Sequence, residues 1–121
     1  MSNPEFSYQQ RIQFIVASYD LAGYDIQSFE THLNALMGKV PLILLELALV
    51  ETLIRHWLKV PVERGVRFLD HTQQLLMLWQ KGKLDMGLTP LHFEMITGLD
   101  PTPTFEGLDQ ALQDWISAAD R

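Results

Sequence analysis

Glu46 is the residue whose setting most invites chemistry. It stands inside the run Leu42-Ile43-Leu44-Leu45-Glu46-Leu47-Ala48-Leu49-Val50. At 100° per residue a helix places it among Leu42, Leu49, Val50, Leu53 and Trp57. An unpaired carboxylate in such surroundings is strongly destabilising, or takes up a proton and becomes neutral. Glu46 therefore needs a partner. The simplest is an arginine, an indole N–H or a helix N-terminus. A second reading makes it a general acid or ligand anchor in a pocket with His56 and Trp57. A third pairs it across a subunit interface. Under the first reading Glu46→Gln is tolerated better than Glu46→Ala, because the amide keeps hydrogen bonding.

The remaining chemistry-bearing residues form no constellation. His32, His56, His71 and His92 fall on different expected helices, with no H-x-x-x-H or HExxH pair. His56, beside Arg55 and Trp57, is expected half-buried, and His71 solvated. The chain has no cysteine, which excludes disulfides, thiol catalysis and cysteine-held zinc. No P-loop, GxGxxG or GxSxG occurs, and no serine has a base near it in sequence. The sequence thus assigns no catalytic residue, metal ligand, cofactor or cofactor-binding residue.

Charge is unevenly placed. Residues 1–54 hold six acids and two bases, 55–83 two acids and six bases, and 84–121 seven acids and one base; −4, +4 and −6 give the net −6. The acidic last helix could pair with the basic middle inside the fold. The alternative is a basic face of Arg55, Lys59, Arg64, Arg67 and His71 that docks an acidic protein partner. The acidic total disfavours nucleic acid, whose binding relies on cations that displace phosphate counterions. The segment 89–116 has the cadence of a degenerate helix-turn-helix regulator. Against DNA reading stand Pro101 and Pro103, where the second helix should form, and Glu106, Asp109 and Asp114 after them.

Helices must position these residues. A length of 121 residues suits one domain of ~100–150 residues. Helix punctuation is frequent and strand alternation nearly absent. Asn3-Pro4 opens a first helix closed by Gly23, with Tyr8, Ile12, Ile15, Val16 and Tyr19 on one face. Asp25 or Ser28 caps a second, ending at Gly38. Pro41 begins a third, to about Lys59, and Val60-Pro61 restarts the chain into a fourth that Gly82 stops. On the fourth, Val62, Val66, Leu69, Leu76 and Trp79 face the core, with Gly65 and Thr72 as small residues on that side. Glu63 and Arg67 form an i,i+4 pair on the other. Residues 81–88 are the expected mobile loop. Thr89-Pro90 opens a fifth helix closed by Gly98, and the last begins near Phe105 after a Pro-rich turn. The expectation is an all-α bundle of five or six helices in a single domain over residues 1–121.

The third helix is too apolar for one face. Twelve of the eighteen residues from Pro41 to Leu58 are hydrophobic. Such a helix is either central or part of a subunit interface; in the second case Leu44 and Leu45 are candidate interaction surface and the protein is a homodimer. Glu51, Thr52, Arg55, His56 and Lys59 share a separate polar arc. The charges within 40–58 argue against a membrane span, and the N-terminus lacks the basic and apolar regions of a signal peptide, so a cytoplasmic protein is expected. Phe93, Met95, Phe105, Trp115, Trp79 and Trp57 should be core, and any left exposed would mark a binding patch.

The phrases Leu42-Ile43-Leu44-Leu45-Glu46-Leu47-Ala48-Leu49-Val50-Glu51-Thr52-Leu53 and Ile96-Thr97-Gly98-Leu99-Asp100-Pro101 resemble short uncharacterised all-α proteins of cyanobacteria. The resemblance attaches to no named family and transfers no site residues. The nearest class it implies is small helical assembly factors or chaperones of photosynthetic complexes. Together these readings point to a non-catalytic helical interaction module: an adaptor, assembly factor or regulator.

Overall fold

The computed structural model describes residues 7–56, 63–84 and 86–119. They form six helices: α1 Tyr8–Ser18, α2 Ile26–Lys39, α3 Leu42–His56, α4 Val66–Gln80, α5 Pro90–Thr97 and α6 Thr102–Ala119. No strand occurs among the described residues, so the fold is all-α.

Local chemistry sets the boundaries. Ser7 and Gln10 make a reciprocal capping box: the Ser7 hydroxyl accepts the Gln10 N–H at 3.2 Å, and Gln10 Oε1 accepts the Ser7 N–H at 2.8 Å. That starts α1 at Tyr8; the expected opening at Asn3-Pro4 lies outside the described residues. The helix ends at Ser18, ahead of Gly23, because Asp20 turns into the left-handed region at φ 51°. The Asp25 carboxylate accepts the Ser28 N–H at 3.1 Å and starts α2. That helix runs past Gly38 to Lys39.

α4 begins at Val66, later than expected. Gly65 sits at φ 78°, ψ −149°, a region that only glycine enters without strain. Its N–H donates to Leu21 O at 2.6 Å. A side chain there would be strained by φ and would bring a Cβ to 3.4 Å from Ala22 O. Gly65 is thus a corner fastened to the loop after α1, not a small residue on a helix face; Val62 lies outside the described residues. Thr89 caps α5, Pro90 occupies its first turn, and Gly98 closes it at φ 73°. α6 starts at Thr102, three residues before the expected position. The Asp100 carboxylate accepts the Thr102 N–H at 3.0 Å, and Pro103 falls in the first turn, where a missing N–H breaks no intrahelical bond.

α3 is the central element, packed by α1, α2, α4, α5 and α6. Leu44, Leu45, Leu47, Ala48, Leu49 and Val50 are all fully buried within this one chain. This corrects the expectation that Leu44 and Leu45 belong to an interaction surface, since the chain's own helices already cover them. The apolar excess is met by wrapping, because five neighbours cover α3 on every side from Leu44 to Leu53. Trp79, Phe29, Phe68 and Phe93 complete the core. α6 approaches α3 closely at Gly107, where an added Cβ would stand 2.8 Å from Ile43 Cδ1. Among the described residues no helix is long and apolar enough to cross a membrane.

Candidate functional site

Glu46 is fully buried and has a partner, Arg11. Arg11 lies on the buried face of α1, with Ile12 and Ile15. Its Nε donates to Glu46 Oε2 at 2.6 Å and its Nη2 to Glu46 Oε1 at 3.3 Å. Nη2 also reaches Asp100 O at 2.7 Å and Thr104 Oγ1 at 3.2 Å. The Thr104 hydroxyl donates to Glu46 Oε1 at 2.6 Å and lies 3.4 Å from the Tyr8 hydroxyl. The guanidinium carbon stands 5.3 Å from the Tyr8 ring centroid and 5.9 Å from that of Phe93, within cation–π range. A two-point arginine–carboxylate contact with further acceptors is the arrangement that best offsets the desolvation of both ions.

This hub joins four segments of distant sequence: α1 through Arg11, α3 through Glu46, the turn after α5 through Asp100 O, and α6 through Thr104. Every group that could receive or give a proton to a ligand is engaged by another. Nearby contacts tighten the same corner. The Tyr19 hydroxyl donates to Ile96 O at 2.6 Å, and Phe93 meets Phe105 edge-on at 5.9 Å. The Asp100 carboxyl is held below its ordinary value by the Thr102 backbone N–H first, then by the Thr102 hydroxyl, with a smaller contribution from Arg11. Asp25 is lowered in the same way by the Ser28 N–H and hydroxyl.

The expected pocket of Glu46, His56 and Trp57 is not assembled. Ten residues of helix separate Glu46 from His56, ~15 Å along the axis. Trp57 lies outside the described residues. His56 is half-buried and its ring lies 4.4 Å from that of His71, tilted by 36°. His71 Nε2 is 3.3 Å from Glu63 Oε2. Glu63 precedes α4, so its expected i,i+4 pairing with Arg67 on one helix does not form. Among the described residues no three His, Asp or Glu side chains converge on a point where a metal ion could sit.

The polar arc of α3 is also corrected. Glu51 and Thr52 are buried, 3 % and 2 % exposed, because the 86–88 segment and α4 cover them. Glu51 Oε1 accepts the Leu88 N–H at 3.1 Å, and Oε2 accepts Arg55 Nε at 2.9 Å. The 81–88 linker, expected to be the loosest part, is therefore fastened at its end by a buried carboxylate. Thr52 donates to Ala48 O at 2.6 Å, and the Thr72 hydroxyl lies 3.1 Å from both Thr52 Oγ1 and Phe68 O. Thr72 is fully buried at the crossing of α3 and α4, as its small size predicts.

The basic middle divides in space. Arg64 and Arg67 are exposed at the start of α4, whereas the cation of Arg55 is held by Glu51. Lys81 and Lys83 lie past the other end, and α4 between them spans ~21 Å. Lys59 is outside the described residues. The ion pairs among the described residues are Arg11–Glu46, Arg55–Glu51 and His71–Glu63; none joins α6 to the basic middle. α5 and α6 are joined by a short turn and α6 forms in spite of Pro101 and Pro103, so the objection from those prolines fails. The objection from charge stands: Glu106, Asp109 and Asp114 are exposed on α6, where a DNA reader needs cations.

Compared with protein-family models, with curated proteins and with solved structures, the chain matches none.

Proposed function

We propose that this chain is a non-catalytic helical protein-interaction module, of the adaptor, assembly-factor or regulator kind. One observation carries the reading. The buried groups capable of chemistry are engaged in holding helices together, while Arg64 and Arg67 stand exposed at one end of α4. Glu46, Arg11, Thr104 and Glu51 satisfy one another or the backbone inside the fold. Arg64 and Arg67 are exposed at the start of α4 and form the docking surface for an acidic protein partner. A cytoplasmic setting and the class of small helical assembly factors fit this reading. A homodimer, if the protein forms one, must use a surface other than Leu44 and Leu45.

Affinity capture from a lysate of cells that express the protein tests the reading. The wild type should retain a partner at low salt and release it as salt rises. The Arg64→Glu/Arg67→Glu variant should lose that partner while unfolding at the wild-type temperature. Equal retention by wild type and variant would overturn the assignment of the basic end.

A further inference from the structure

We draw no further inference here: the strongest candidate, the surface patch that Leu91 and Met95 form on α5, with Met95 73 % exposed against its expected core position, is an apolar strip of two side chains, and nothing in the structure shows what covers it.

Discussion

Replacing Glu46 with alanine should be among the most damaging single changes in this protein. The substitution removes both oxygens that Arg11 contacts and the acceptor of the Thr104 hydroxyl. Arg11 remains 7 % exposed, a cation whose remaining hydrogen-bond acceptors are Asp100 O and Thr104 Oγ1, with no anion to face it. Breaking a buried pair by deleting one partner costs ~3–5 kcal/mol. The unfolding entropy is ~2.1 cal/mol/K per residue. Over 121 residues that makes ~0.25 kcal/mol/K, so the melting temperature should fall by ~12–20 °C. Glu46→Gln keeps the shape and one carbonyl acceptor; its cost should be near the ~1.5–3 kcal/mol of a hydrogen bond to a charged group. Thermal and urea unfolding of wild type and both variants measure this. Equal losses for alanine and glutamine, or a loss of under ~1 kcal/mol for alanine, would refute the hub.

Other contacts give sharper local expectations. Glu51→Ala leaves the buried Leu88 N–H without its acceptor and should cost ~1–3 kcal/mol, with faster hydrogen exchange at the Leu88 amide. Leu44→Ala should cost ~2–5 kcal/mol yet leave the mass in light scattering unchanged, because Leu44 is covered by its own chain. Gly65→Ala should cost ~1–3 kcal/mol through its backbone conformation, read by urea unfolding. Asp25 and Asp100 have carboxyl values lowered by folding. The stability they contribute is present above the unfolded value, about pH 4, and is lost as pH falls through the lower folded values. Asp25→Asn/Asp100→Asn should flatten that part of the acid-unfolding curve.

Much of the fold was legible because helix ends are local chemistry. Asp25, Thr89-Pro90 and Gly98 mark α2 and α5 in the sequence as they do in the structure. The central place of α3 was one of two legible readings, since a helix apolar nearly all round is covered either by its own chain or by another. Glu46 announced the need for a partner but not which one. Arg11 lies 35 residues away and Thr104 58 away, and only tertiary packing brings them together. A signal did exist: Arg11 shares the α1 face of Ile12 and Ile15 and is a cation in an apolar stripe. Glu51 and Thr52 were misplaced because periodicity says which residues share a face, not what covers that face. Pro103 looked like a breaker, although a first-turn proline is compatible with a helix. The surface readings depend on what lies outside the chain, and sequence periodicity carries no information about that.

The central claim is that the interior polar hub serves the fold and the surface serves the function. Its most direct test is the variant Arg11→Met/Glu46→Leu/Thr104→Val, which replaces these three side chains with apolar groups of similar size and leaves no ion in the hub. Folding is checked by circular dichroism and partner retention by the salt-sensitive capture assay. The expected result is a folded variant that retains the same partner as the wild type. A folded variant that has lost the partner would contradict it and return Glu46 to a functional role.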